Sequence, residues 1–233
     1  MIIAAVLGGG RGARMGSDLP KQFLPLGNQP VFLHSLSAFL ESGLVDAALL
    51  LAPEEYIPFA RDAVLKAGLE NAPLHILPGG DTRSASLLNA LLAAKNLWGL
   101  ENNIILTHDA ARPFVTRRMI EDNIALAREY GAVNTCVKAT DTVFLSEDGR
   151  FISSVPARKN VYHAQTPQTF RADLLYERIL ALPHGVFESL TDGCSVFTFA
   201  GYPVAMAQGS ENNIKITYPQ DLARAEEILK TIE

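Results

Sequence analysis

Cysteine is nearly absent from this chain of 233 residues: only Cys136 and Cys194 occur, far apart and without redox or metal-ligand spacing. That excludes a disulfide framework and points to a reducing compartment, the cytoplasm. Long apolar runs are missing too. No window reaches the roughly 18 apolar residues of a membrane span. The N-terminal run from Ile2 to Leu7 is too short for a secretory core and lacks a basic start. There is no excess of basic charge. A net charge of −5 gives no general attraction for nucleic acid or an acidic membrane, so neither is an expected partner. Local cation clusters in such a chain are therefore read as sites for small anions. The histidines His34, His75, His108, His163 and His184 have no metal-ligand spacing. His108 reads as a structural histidine at a strand end.

What is present begins with glycine. Leu7-Gly8-Gly9-Gly10-Arg11-Gly12-Ala13-Arg14-Met15-Gly16 follows the first apolar run and leads to Pro20-Lys21-Gln22. An apolar run, then glycines, then cations reads as a strand feeding a phosphate-binding loop. Glycines let the backbone turn tightly and bring its N–H groups close to an anion. Arg14 and Lys21 add positive charge beside the same oxygens, as a transferring phosphoryl or nucleotidyl group requires. Two common loops are excluded. The dinucleotide fingerprint needs an acidic residue about 20 positions on, at a strand end; that distance lands near Gly27-Asn28, inside a loop. A Walker A loop needs Gly-Lys-Ser/Thr, which is missing. A glycine-rich turn flanked by surface cations stays open as the plainer alternative.

The rest of the chain alternates. Strands are expected at Ala47–Ala52, Leu74–Leu77, Asn103–Thr107 and Val133–Val137, and helices at 30–42, 54–67, 83–97 and 116–130. This rhythm argues a Rossmann-like α/β fold, a doubly wound, mostly parallel sheet with helices on both faces, in a single domain spanning 1–233. At Thr140 the rhythm changes. Thr142–Ser146 and Phe151–Val155 read as a hairpin turning at Glu147-Asp148-Gly149-Arg150. An isolated hairpin is marginal in water. A protruding arm at about 140–165, buried by a second subunit, predicts a homodimer. Helices at 171–182 and 191–200, strands at 204–207 and 213–217, and a closing helix from Pro219 to Ile232 complete the reading.

In such a sheet ligands bind beyond the carboxyl ends of the strands. Gly79-Gly80-Asp81 with Arg83, and Asp109 with Arg112, fall at those ends. The amides and hydroxyls around Gly80, Ser84 and Ser86 sit at a helix N-terminus suited to an anion or a base edge. Asp109 holds a ribose hydroxyl or helps position a cation bound mainly by phosphates, or else caps its turn. Arg112 serves the site or pairs with Asp109. Lys215 points away from the apolar face shared by Ile214 and Ile216.

These stretches, with Asp141-Thr142, Gln165-Thr166-Pro167-Gln168 and Asn213-Ile214-Lys215-Ile216-Thr217, occur in the order of one known family. The set resembles the CTP-dependent cytidylyltransferases that activate small polyol phosphates, over essentially the whole chain. The resemblance implies transfer of CMP from CTP to the substrate phosphate with release of pyrophosphate, with Mg2+ held mainly on the CTP phosphates. It assigns CTP to Leu7, Gly8, Gly9, Gly10, Gly80, Asp81, Arg83 and Ser86. Arg14 and Lys21 match residues that stabilise the pentacoordinate transition state. Arg158, from a neighbouring subunit's arm, and Lys215 match those that position the acceptor phosphate, and Asp109, Arg112 and Thr142 those lining the acceptor site. One branch of the family uses D-ribitol 5-phosphate, the other 2-C-methyl-D-erythritol 4-phosphate. Thr191-Asp192-Gly193-Cys194 is closer to the ribitol pattern, and Ala110-Ala111-Arg112-Pro113 to the methylerythritol pattern. The expected acceptor is ribitol 5-phosphate, with methylerythritol phosphate as the alternative. Another sugar-phosphate nucleotidyltransferase, or a non-catalytic nucleotide-binding subunit, is the remoter reading.

Overall fold

The computed structural model describes residues 1–10 and 15–232. Strand β1 (Ile2–Leu7) lies inside a seven-stranded sheet. Its side chains alternate between two faces, and both are apolar, as a strand covered on both sides requires. Two two-residue strands, β2 (Pro25–Leu26) and β3 (Gln29–Pro30), form a separate small pair. Then come α1 (Val31–Leu40), β4 (Ala47–Ala52), α2 (Ile57–Lys66), β5 (Leu74–Pro78), α3 (Arg83–Trp98), β6 (Ile104–Asp109), α4 (Arg117–Tyr130) and β7 (Ala132–Lys138). After the arm the chain continues as β8 (Tyr162–Arg171), α5 (Ala172–Ala181), α6 (Val186–Ser189), α7 (Cys194–Phe199), β9 (Ala205–Gln208) and α8 (Pro219–Ile232).

The sheet runs β5-β4-β1-β6-β8-β7-β9. The β5-β4-β1-β6 half is parallel, and β8 is antiparallel to both its neighbours. Ala4, Val6, Leu50 and Leu106 face α1, α2 and α4 through Phe32, Leu36, Ala60 and Ile120. Ile3, Ala5, Leu49 and Ile105 face α3, α5 and α7 through Leu87, Leu91, Leu175 and Val196. The doubly wound, mostly parallel α/β expectation holds. Caps fix the helix ends as the sequence indicates. The Thr116 hydroxyl accepts from Met119 N–H, and Gly131 ends α4. Among the described residues no helix is long and apolar enough to cross a membrane.

Three local expectations change. The ten-residue strand β8 sits inside the sheet, where the sequence reading had only a chain return at Gln165–Gln168. Pro167 argues against a central strand because it cannot donate to a ladder. Here it falls where β7 shifts register between Asn134 and Cys136, and pairing with β6 begins only at Gln168. Neither ladder needs its N–H. Asn213–Thr217, expected as a last strand, joins no sheet; Ile216 N–H donates to the Ala111 carbonyl (2.9 Å) instead. The expected hairpin is reduced to a single bridge, Leu145 with Ser154. Its turn is tied by Asp148, whose carboxylate accepts from the N–H groups of Arg150 and Phe151.

Candidate active site

A cavity of about 290 Å3 opens beyond the carboxyl ends of β1, β5 and β6. Three loops build it. Gly8, Gly9 and Gly10 leave β1, Asp81–Ser86 leads from β5 into α3, and Asp109–Ala111 ends β6. The first two loops touch. A Cβ on Gly9 would come within 2.6 Å of Ser86 Oγ and 3.1 Å of Gly79 Cα, so only glycine permits this approach. Thr82 caps α3 by accepting from Ala85 N–H (3.0 Å). Lys21, on a short 3-10 turn Lys21–Phe23, and Lys215, on the segment after β9, complete the lining with Gln22 and Thr217.

Asp109 is the electrostatic centre. Its carboxylate lies 3.0 Å from Arg83 Nε, 2.7 Å from Lys215 Nζ and 3.8 Å from Arg112 Nε. Burial alone would raise this carboxyl. The charges of Arg83 and Lys215, the Lys215 hydrogen bond and the Arg112 charge outweigh burial and hold it well below the usual carboxylate range. One carboxylate against three cations leaves the site net positive. The Arg83 guanidinium is braced from behind by Gln168, whose side-chain oxygen accepts from Nη2 at 3.0 Å.

Beneath Asp109 a buried polar chain fixes the β6 turn. His108 Nε2 donates to the Arg112 carbonyl (2.9 Å), since a carbonyl only accepts. Its Nδ1 therefore accepts from the Thr166 hydroxyl (3.0 Å), which in turn accepts from Asp109 N–H (3.1 Å). Burial pushes His108 down to about 4, against the opposing Arg112 carbonyl and the Asp109 charge. The neutral ring is the form that these partners need. Arg112 donates to the Asn213 carbonyl (2.7 Å), and Asn213 donates to the Thr166 carbonyl (2.8 Å). The segment that carries Lys215 is thereby tied to β6 and β8.

The glycine-walled, net cationic cavity lies at the carboxyl edge of the sheet, and one family model spans nearly the whole chain. That model, described as IspD: 2-C-methyl-D-erythritol 4-phosphate cytidylyltransferase, matches residues 2–231. The chain belongs to the IspD family. It is a nucleotidyltransferase of the cytidylyltransferase type, as the sequence reading held. Solved structures agree. The 4-diphosphocytidyl-2C-methyl-D-erythritol synthase of Anaerococcus prevotii superposes with a TM-score of 0.81 at 26% identity, covering 99% of this chain and 98% of that one. The 2-C-methyl-D-erythritol 4-phosphate cytidylyltransferase of Thermus thermophilus gives 0.74 at 28%, covering 98% of each. The Francisella tularensis enzyme of the same name gives 0.77 at 25%, covering 97% of this chain and 98% of that one.

On this IspD-family frame the residues singled out by sequence divide into groups. Leu7, Gly8, Gly9, Gly10, Lys21, Asp81, Arg83, Ser86, Asp109 and Lys215 meet around the cavity. Gly80 stands just behind it, and its N–H is spent on Ser86 Oγ at 2.9 Å. Arg112 does not line the cavity; it is the brace already described. Thr142 and Arg158 lie on the arm, outside the cavity of their own chain, with Arg158 donating to the Thr140 carbonyl (3.3 Å). Arg14 lies outside the described residues. Thr191–Cys194, the stretch that favoured ribitol, does not line the cavity either. Its unusual Gly193 has a packing cause, because a Cβ there would sit 2.8 Å from Phe170 Cζ. The sequence reading missed Gln22, Thr82 and Thr217 as lining residues and Gln168 as a brace. Of these, Thr82 carried a usable signal, a threonine just before a helix.

Proposed function

We propose that this IspD-family chain transfers CMP from CTP to the phosphate of 2-C-methyl-D-erythritol 4-phosphate and releases pyrophosphate. The observation that carries the reading is the glycine-walled cavity with Lys21 and Lys215 in its lining and Asp109 holding Lys215 and Arg83 in place. The matching family model and the named relatives are described by methylerythritol substrates or products, which supports that acceptor over ribitol phosphate. The Thr191–Cys194 stretch, one ground for ribitol, does not line the cavity; its Gly193 N–H donates to the Gln168 oxygen that braces Arg83 (3.3 Å).

The triphosphate would lie along the Gly8–Gly10 and Asp81–Ser86 loops. An oxygen of the acceptor phosphate attacks the α-phosphorus of CTP, the bond to the β-phosphate oxygen breaks, and pyrophosphate leaves. The acceptor phosphate is already ionised, so no general base is needed. The difficulty is holding two polyanions together. A cation about 4 Å from a phosphate oxygen offsets roughly 4 kcal/mol of that repulsion at an effective dielectric near 20. Lys21, Lys215 and Arg83, with Arg14 from the sequence match, would supply that offset. Magnesium would add charge neutralisation on the triphosphate. The donor set fits a metal carried mainly by phosphates, because the Asp109 carboxylate is committed to Arg83 and Lys215, and among the described residues Asp81 is the lining carboxylate without an ion pair. The arm with Arg158 would complete the acceptor site of a second subunit. Its exposed Phe144, Leu145, Phe151, Ile152 and Val155 support a homodimer, and the reduced Cys136 and Cys194 accord with the cytoplasm.

The test is pyrophosphate release with CTP and Mg2+, run in parallel with methylerythritol 4-phosphate and ribitol 5-phosphate. Release with the first alone is the expected result. Release with ribitol phosphate alone would move the enzyme to the other branch with its mechanism intact. Release with neither would sink both acceptors.

A further inference from the structure

The residue beside Lys21 has no role in the reading so far. Gln22 is 3% exposed, and its carboxamide nitrogen sits 2.6 Å from the Gly8 carbonyl oxygen and 2.8 Å from the Gly10 carbonyl oxygen. Carbonyl oxygens only accept, so both amide hydrogens of Gln22 are donated to the glycine loop. A peptide unit is planar and trans, with its C=O and N–H opposed. Turning the Gly8 carbonyl onto Gln22 therefore turns the N–H of Gly9 away from it. Among the described residues, the N–H groups of Gly9 and Gly10 donate to no protein acceptor. Adjacent unspent amides in a glycine turn bordering a cationic cavity form a concave anion cradle. Gln22 is itself held firmly. Its neighbour Phe23 is buried, stacked on Tyr56 at 4.9 Å and edge-on to Phe32 at 5.5 Å.

We propose that Gln22 is a positioning residue for the nucleotide: it holds the Gly8 and Gly10 carbonyls, pinning the loop at both ends, so that the Gly9 N–H between them faces the triphosphate of CTP. This rests on the CTP-dependent reading above. The same short turn then serves the triphosphate twice, directly through Lys21 and through the backbone by Gln22. Without the carboxamide, the Gly8 and Gly10 carbonyls can rotate toward the cavity and present oxygen, not N–H, to an anion.

The experiment compares the full-length native chain with Gln22→Met and Gln22→Glu, both close to glutamine in side-chain length. Calorimetry gives the CTP affinity without an acceptor, steady-state kinetics give KM for CTP and for the acceptor separately, and melting temperature reports folding. Loss of two hydrogen bonds predicts CTP binding weaker by about tenfold or more. The acceptor KM should stay within about twofold and melting within a few degrees. Gln22→Glu should regain CTP affinity relative to the native chain as the pH is lowered, because a protonated carboxyl again offers a donor. Native-like CTP affinity in a folded variant would overturn the proposal. So would equal losses for both substrates, or unfolding of both variants, which would make Gln22 a residue of stability alone. Failure of the native chain to bind CTP would instead overturn the CTP reading and the proposal with it.

Discussion

Strands β1 and β4 bury every residue from Ile3 to Leu7 and from Ala47 to Ala52, whereas the arm leaves Phe151 75% exposed and Phe144, Leu145, Ile152 and Val155 largely open. Every residue of β1 and β4 is apolar, and six of the ten residues in Thr142–Ser146 and Phe151–Val155 of the arm are apolar too. The two regions differ in what their backbones can pair with. In the parallel half, each strand finds neighbours and each face finds a helix, so burial and ladder bonds reinforce each other. In the arm, the strand-like pairing comes down to one bridge, Leu145 with Ser154, beside a turn tied by Asp148. The parallel half can therefore position ligand groups within one chain, and the arm cannot. The arm's apolar side chains would each contribute about 1.5–3 kcal/mol if covered by a partner.

The largest effect that would sharpen this contrast lies on the floor of the cavity. Lys215→Ala should lower kcat/KM by about 10²-fold or more, as expected for a donor aimed at developing charge. Its melting temperature should stay within a few degrees, because the lysine is partly exposed and its segment keeps its bonds through Ile216 and Asn213. Steady-state kinetics beside a melting curve check it, and full activity in a folded variant would remove Lys215 from the mechanism.

Next comes acid. His108 takes up a proton near 6.5 when unfolded but only near 4 when folded. Between those values the unfolded chain binds more protons, so stability falls as the pH is lowered from 6.5 to 4, by about 3 kcal/mol in all. The Asp109 carboxylate, also held low, keeps its stabilising effect down through this window. Urea titrations at pH 7 and pH 4.5 should show the loss in the native chain and a much smaller one in His108→Gln. An equal loss in both would show that other groups control the acid limb.

The smallest effect on folding is expected in the arm. Phe151→Ser should change unfolding by no more than about 0.5 kcal/mol, since the ring packs on little within its own chain. Self-association should weaken by about tenfold or more. Sedimentation at micromolar concentration separates the two outcomes. A native chain that sediments only as a 25.2 kDa species would break the comparison at its root, because the arm would then have no partner to meet.

Where local chemistry and global position agree, the amino-acid order alone determined the structure. The unbroken apolar run of β4, the threonine caps of α3 and α4 and the closing helix from Pro219 all carry their own signals, because periodicity, caps and proline placement are read within a few residues. The glycine loop with Lys21, and the order of motifs through Lys215, likewise fixed the family and most of the cavity lining. Only the tertiary structure decided the rest. Strand β8 is polar and contains Pro167, and it becomes an interior strand because a register shift in β7 removes the demand for that N–H. Arg112, alike in sequence for ligand binding or bracing, is tied to the Asn213 carbonyl, a partner 101 residues away. Gly193 reads as a substrate signature in the chain and as clearance for the Phe170 ring in the fold. Gln22 gains its meaning from carbonyls twelve and fourteen residues earlier. Each of these depends on which distant group stands opposite, a property of the folded chain that no local pattern encodes.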